Sequence, residues 1–329
     1  MNTIQTPKIL VARSIFPDAL AALRQSFEVI DNQADRVFTP AELQKYLSEV
    51  DAALVAGSER IDANALAQAK KLKIVANISV GYNNFDVPAI TAAGVMATNT
   101  PDVLTNTTAD FGFALLMATA RRVTESEHWI RNGKWDQWSI THNPLGMDIH
   151  GSTLGIIGMG RIGQGIAKRA LGFGMKVIYN NRRRLPEADE KACGATYVDK
   201  ESLLRQADHV ILVLPYSAEN HHTIGAKEIA LMKPTATLVN IARGGIVDDV
   251  ALAQALREKK IFAAGLDVFE GEPVVHPDLL KLSNVVLAPH IASGTEKTRR
   301  AMVDLAIQNV RAALAGDRPP SLINPEVLK

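Results

Sequence analysis

Gly158-Met159-Gly160-Arg161-Ile162-Gly163 directly follows the apolar run Leu154-Gly155-Ile156-Ile157, and residues 164–171 continue in a helical pattern. Few short segments restrict a fold so tightly. Glycines at this spacing let a strand turn sharply into a helix while its backbone N–H groups approach a pyrophosphate. Gly158, Gly160, Arg161, Ile162 and Gly163 are therefore candidate dinucleotide contacts. About 20 residues further on, an Asp or Glu would accept hydrogen bonds from the ribose hydroxyls of NAD. After Val177-Ile178-Tyr179 this chain instead carries Asn180-Asn181-Arg182-Arg183-Arg184, a stretch with no carboxylate. An acid would repel a 2′-phosphate, whereas the planar donor fork of arginine matches its oxygens. Asn181, Arg182 and Arg183 are the candidates for that phosphate. The expected cofactor is NADP(H), with NAD(H) the weaker ligand. A solvated basic turn is the other meaning of three consecutive arginines.

Short apolar runs alternate with helical patterns along nearly all of the chain, the mark of α/β domains with largely parallel sheets. At 329 residues there is enough chain for two cores. In the first third, strands are expected at 8–11, 52–56, 72–76 and 95–97, with helices near 18–26 and 40–48. This part lacks the glycine turn. One long helix is expected over about 106–131, as a connector between domains. Further strands at 210–214, 237–241, 263–266 and 285–287 would complete a six-strand nucleotide domain. The last helix, about 296–315, has Thr295 as N-cap and Gly316 as stop, and is expected to return to the first domain.

A formal charge of +1 gives no global reason to expect nucleic acid or a membrane surface. No stretch approaches the roughly 20 apolar residues of a membrane span, and the N-terminus lacks a signal-peptide core. Cys193 is the only cysteine, which rules out an intrachain disulfide and suggests a reducing, cytoplasmic compartment. Trp129, Trp135 and Trp138 all fall within 129–146, where they suggest packing or a subunit interface.

Ligands of open α/β sheets sit at the carboxyl ends of strands, so polar residues just past predicted strands are the candidates for chemistry. Arg243 follows 238–242 and precedes Gly244-Gly245; Glu272 follows 265–269 and precedes Pro273; His290 follows 285–289. An Arg, a carboxylate and a His at one end of one sheet make a usable constellation. His221-His222 are read as loop residues near the cofactor and not as metal ligands, because adjacent side chains of an extended loop point apart. Asp267, Glu270 and Glu272 have no histidine at ligand spacing, so no metal is expected.

The glycine turn, Asn240-Ile241-Ala242-Arg243-Gly244-Gly245, Gly265-Leu266-Asp267-Val268-Phe269-Glu270-Gly271-Glu272-Pro273 and Pro289-His290-Ile291-Ala292-Ser293 resemble the signatures of the D-isomer-specific 2-hydroxyacid dehydrogenase family. Within it, Asn77-Ile78-Ser79-Val80-Gly81-Tyr82 and Ala109-Asp110-Phe111 are similar to the bacterial branch of glyoxylate/hydroxypyruvate reductases that also reduce 2-ketogluconate. The resemblance implies two doubly wound domains, Rossmann-like and flavodoxin-like, with the active site in the cleft. The substrate-binding domain would be 1–104 plus 295–329, and the NADP-binding domain 105–294. It implies a homodimer and no nucleic-acid or membrane partner.

By the same resemblance, Arg243 would orient a 2-oxo acid and stabilise charge on its carbonyl oxygen. His290 would donate the proton as hydride reaches the carbonyl carbon. Glu272 would hydrogen-bond the imidazole and favour its charged form. Backbone N–H groups near Val80 and Gly81 would take the substrate carboxylate. Thr108, Ile241 and Asp267 would flank the nicotinamide, and Pro215, Ala242, Arg243 and His290 would also contact the cofactor. Asn83, Ala292 and Gly294 depart from the commoner family pattern and bear on substrate shape. A phosphorylated 2-keto sugar acid is an alternative substrate, and a non-catalytic, nucleotide-sensing corepressor-like scaffold is a reading from another class.

Overall fold

A computed structural model describes residues 6–329 and divides them into two compact units. The first comprises the chain up to Leu104 together with Gly294–Lys329. Its strands are β1 (Lys8–Val11), β2 (Glu28–Asp31), β3 (Ala52–Val55), β4 (Ile74–Asn77) and β5 (Met96–Thr98), all parallel, in the order β2-β1-β3-β4-β5. Side chains alternate across this sheet as the two-residue period requires. Leu10, Ala53, Val55 and Val75 enter one core, while Ile9, Val11, Ala52, Leu54, Ile74 and Ala76 enter the other. Burial on both faces is why these strands read as continuous apolar runs. The helix Glu296–Ala315 covers the second face with Val303, Ala306, Ile307, Val310 and Ala313, spaced three and four apart. Thr295 caps it by accepting the Thr298 N–H at 3.3 Å, and Gly316 ends it at φ +85°.

The second unit is Thr105–Ser293. Its strands are β6 (Thr153–Ile157), β7 (Lys176–Asn180), β8 (Ala195–Tyr197), β9 (His209–Leu212), β10 (Thr237–Asn240), β11 (Ala263–Leu266) and β12 (Val285–Leu287). They form one parallel sheet, ordered β12-β11-β10-β9-β6-β7-β8. The chain runs outward from β6 to β8, then returns to β9 and runs the other way. Strand order therefore reverses between β6 and β9, where doubly wound sheets bind ligands.

The α/β class and the parallel sheets agree with the sequence reading; three local expectations do not. The second sheet has seven strands rather than six, because β8 is a three-residue edge strand with only Ala195 buried. The edge strand β2 was also not expected. The single helix over 106–131 is two, Thr105–Ala120 and Val123–Arg131, separated at Arg122, whose φ is +53°. The apolar face stops at Ala120, and the Arg122 guanidinium instead donates to both Glu125 oxygens at 2.7 Å. Trp135 and Trp138 are 52% and 73% exposed, so they do not pack within the chain. No helix among the described residues is long and apolar enough to cross a membrane.

Candidate active site

Six of the seven strands in the second unit deliver a candidate residue just past their carboxyl ends. At the exit of β6, Gly158 has φ +103°, and a Cβ there would lie 2.6 Å from Leu214 N and Val213 C. A Cβ on Gly163 would sit 2.4 Å from Gly158 O. Both positions are closed to larger residues by the turn's own packing. Gly160 differs: it has φ −76°, and no protein atom lies within 4 Å of where its Cβ would be. It is also the N-cap of the helix Arg161–Leu171, which has no side-chain cap. The backbone here is bare on its open side, and a helix N-terminus favours an anion. These features fit a pyrophosphate.

At the exit of β7, Asn181 Oδ1 accepts the Met159 N–H at 2.6 Å and ties this end to the glycine turn. The three arginines are not equivalent. Arg184 donates to both oxygens of Glu190 at 2.9 and 2.8 Å, and Tyr179 Oη donates to the same carboxylate at 2.6 Å. The Arg184 and Tyr179 hydrogen bonds hold the Glu190 carboxyl at about 2. Burial, helped by Glu190, pushes the Tyr179 phenol up to about 12. Arg184 is thereby committed to the fold. Arg182 and Arg183 are exposed and make no hydrogen bond or ion pair with other described residues.

Beyond the switch point, β9 leads to Pro215, whose carbonyl accepts from Asn220 Nδ2 at 2.8 Å. β10 leads through buried Ile241 and Ala242 to Arg243. The turn is built around Asn240, which accepts the Ala242 N–H at 3.0 Å and donates to Arg243 O at 3.1 Å. Arg243 Nη1 donates to Ala242 O at 2.7 Å, and burial pulls its guanidinium below the ordinary arginine range against the attraction of Glu272 and Asp267. A Cβ on Gly244 would lie 1.7 Å from Phe269 O, so this glycine lets the Arg243 turn press on the backbone after β11.

β11 ends at Asp267, which is fully buried. Its two carboxylate oxygens accept the Ile291 and Ala292 N–H groups at 2.7 and 2.9 Å, and its carbonyl accepts the His290 N–H at 2.8 Å. Asp267 thus pins the turn that holds His290 at φ +53°. His290 Nδ1 lies 2.8 Å from Glu272 Oε2, and Glu272 Oε1 accepts the Phe269 N–H at 3.0 Å. Burial acts to raise the Glu272 carboxyl, but His290, the Phe269 N–H and Arg243 together hold it below the usual carboxylate range. With Nδ1 engaged, Nε2 is the nitrogen of His290 left for a substrate. Arg243, Asp267, Glu272 and His290 thus form one electrostatic group. Thr108 is buried in the helix Thr105–Ala120.

In the first unit, β4 leads to Val80 and Gly81. Asn77 Nδ2 and Ser79 Oγ both donate to Gly81 O, at 3.1 and 2.5 Å, and Asn99 Nδ2 donates to Val80 O at 2.8 Å. The N–H groups of Val80 and Gly81 make no hydrogen bond among the described residues. Pinned carbonyls and open N–H groups suit an anion. Asn77, Ser79, Asn99 and Asn240 had no role assigned from sequence. Their one signal was an amide or hydroxyl beside a strand end.

One expectation fails outright. His221 and His222 do not point apart: their rings stack with centroids 3.8 Å apart and 23° between planes. Side chains alternate only in extended backbone, and His222 has φ +50°. His222 Nε2 lies 3.0 Å and His221 Nε2 4.0 Å from Glu270.

Residues 113–292 match the family model for the D-isomer specific 2-hydroxyacid dehydrogenase NAD binding domain, a stretch that lies within the second unit. The chain belongs to the D-isomer specific 2-hydroxyacid dehydrogenase family. It is 48% identical over 325 residues to the glyoxylate reductase of Thermococcus onnurineus, covering 98% of this chain and 97% of that one. The Pyrococcus furiosus glyoxylate reductase is 46% identical over 326 residues, with the same coverages. Among solved structures, the chain is similar to the NADPH-dependent glyoxylate/hydroxypyruvate reductase of Sinorhizobium meliloti in complex with NADP and malonate. That match has TM-score 0.86 and 34% identity, and covers 97% of each chain. The family gives this chain a dinucleotide-binding domain and places it among the oxidoreductases.

Proposed function

We propose that this protein reduces 2-oxo acids, with glyoxylate, hydroxypyruvate and 2-keto-D-gluconate as the substrate set, to D-2-hydroxy acids at the expense of NADPH. The observation that carries the reading is the Glu272–His290 pair at 2.8 Å, sharing its electrostatic group with Arg243. Glyoxylate reductases at 48% and 46% identity support the chemistry, and a solved relative that binds NADP supports the cofactor. Gly158, Gly160, Arg161, Ile162 and Gly163 would hold the pyrophosphate, and exposed Arg182 and Arg183, with Asn181 behind them, the 2′-phosphate. When bound, the reduced nicotinamide supplies a hydride.

Arg243 pairs with the substrate carboxylate and carbonyl oxygen, where its charge offsets the negative charge that grows as the carbonyl π pair moves onto oxygen. His290 Nε2–H gives its proton to that oxygen, completing the hydroxyl, and the ring regains a proton from water. Glu272 fixes the ring through Nδ1 and balances its charge in the protonated state. In this reading the Val80 and Gly81 N–H groups are assigned the carboxylate. Trp135, Trp138 and Ile140, all more than half exposed, are the proposed surface of a homodimer. A cytoplasmic setting suits the single buried cysteine.

Initial rates with NADPH and NADH across the three acids test the reading. Turnover with NADPH well above NADH is the expected result. Cofactor binding with negligible turnover of all three would replace it with a nucleotide-sensing scaffold.

A further inference from the structure

We propose that His221, His222 and Glu270 form a binding site for a divalent transition-metal ion of the zinc class. None of the three is among the residues assigned to hydride transfer; they lie on the loop after β9 and the segment after β11. Imidazole and carboxylate are the donors that zinc accepts alongside thiolate, commonly as three protein ligands with a further position left to water. The ligating atoms of these three side chains all lie within 4.8 Å of one another. Bonds of about 2.0–2.2 Å in a tetrahedron put ligands about 3.3–3.5 Å apart, so the set closes when the stacked rings turn about their side-chain bonds until both Nε2 lone pairs meet at one ion.

The polar neighbours of the two rings bear on a metal as well as their proximity does. A metal-bound histidine uses one ring nitrogen on the ion and presents the other to an oxygen partner that orients it. His221 Nδ1 lies 3.3 Å from Tyr216 Oη, within hydrogen-bond reach, while Asp248 Oδ2 stands near His222 Nδ1 at 3.8 Å without bonding it. Both Nε2 atoms then face Glu270, at 4.0 and 3.0 Å. A plain ion pair would need only one imidazole at the carboxylate, yet the chain brings two.

The backbone beneath is fixed. His222 N–H donates to Gly245 O at 2.7 Å, and Ile224 N–H donates to Ile246 O at 3.1 Å. Glu270 N–H is held by buried Asp249 at 3.1 Å. With Asp248 near His222 and Asp249 against the Glu270 backbone, the surroundings carry acid that a cation would neutralise. The side chains are 42%, 35% and 44% exposed, which leaves a path from solvent and room for water on the ion.

The test uses the full-length, metal-stripped protein titrated calorimetrically with Zn²⁺ alone, with Co²⁺ absorption spectra as a second readout. His222→Asn, His221→Gln and Glu270→Gln are compared with wild type; Asn tolerates the positive φ at 222. The expected result is one Zn²⁺ per chain with ligand-field bands of low-symmetry Co²⁺. Affinity should fall at least ~10-fold in each variant whose melting in chelator matches wild type. No saturable Zn²⁺ binding by wild type would overturn the proposal. Unchanged affinity in any two variants that melt like wild type would do the same.

Discussion

Replacing Gly160 with alanine separates what the glycine turn does for the fold from what it does for a ligand. The Cβ position meets no protein atom within 4 Å, and φ −76° is ordinary for alanine. Alanine is a poorer N-cap than glycine by roughly 0.5–1 kcal/mol. Removing a glycine from the unfolded chain returns about 0.4–1 kcal/mol. The two effects nearly cancel, so the unfolding free energy from urea melts should stay within about 0.5 kcal/mol of wild type. The ligand side has no such offset. The new methyl group stands where a pyrophosphate would approach the backbone, and losing one charge-assisted hydrogen bond costs about 1.5–3 kcal/mol. NADPH should therefore bind roughly 10–150-fold more weakly, as read by fluorescence titration beside the urea melts. Gly158→Ala would be a poor probe, because φ +103° and contacts of 2.6 Å to Val213 and Leu214 would damage the fold as well. NADPH affinity unchanged in folded Gly160→Ala would refute the assignment of this turn to the pyrophosphate.

Exchanging Arg182 and Arg183 together for serine should lower the ratio of kcat/KM with NADPH to that with NADH by about 10-fold or more, leaving NADH rates intact; an unmoved ratio would mean the 2′-phosphate lies elsewhere. Asp267→Asn keeps one acceptor but turns an amide NH2 toward the Ile291 or Ala292 N–H. It should cost about 1–3 kcal/mol in urea unfolding and depress kcat while NADPH binds normally. Weakened NADPH binding at unchanged stability would instead make Asp267 a cofactor contact. Glu190, at about 2 in the folded protein against 4.5 for a free glutamate, contributes stability that is fully present above 4.5 and is lost as pH falls toward 2. The gap in urea midpoint between wild type and Glu190→Gln should thus narrow as pH is lowered from about 5 to 3; a constant gap would show that the carboxylate's charge is not what matters.

The strands were legible wherever burial on both faces forced an unbroken apolar run, as in Leu238-Val239 or Val210-Ile211-Leu212. β2 and β8 were not. Glu28-Val29-Ile30-Asp31 and Ala195-Thr196-Tyr197 are edge strands, half solvated, with no run long enough to stand out. Arg243, Glu272 and His290 were readable because each follows within a few residues of an apolar strand run, at the carboxyl end where open sheets place ligands. The division among Arg182, Arg183 and Arg184 was not readable, since it depends on the helix Glu187–Cys193 carrying Glu190 back to Tyr179. The His221–His222 geometry escaped for a related reason: side-chain alternation presumes extended backbone, and one residue at positive φ reverses the conclusion.

Asp267 and Glu272 show why two acids close together in one site do different work. Both are desolvated and both feel His290; Glu272 also acts on Asp267, and Arg243 on Glu272. Burial dominates at Asp267 and pushes it above the usual carboxylate range, although the Ile291 and Ala292 N–H groups pull the other way. At Glu272 the hydrogen bond and charge of His290, the Phe269 N–H and Arg243 prevail over burial and push it below. Environments that drive two like groups apart assign them separate roles. Asp267 spends its acceptors on backbone N–H groups and so sets where His290 stands. Glu272 is held below the usual carboxylate range, and its Oε2 faces His290 Nδ1 at 2.8 Å. The geometry separates the two: Asp267 is fully buried with one backbone N–H on each oxygen, whereas Glu272 gives one oxygen to the Phe269 N–H and the other to His290 Nδ1.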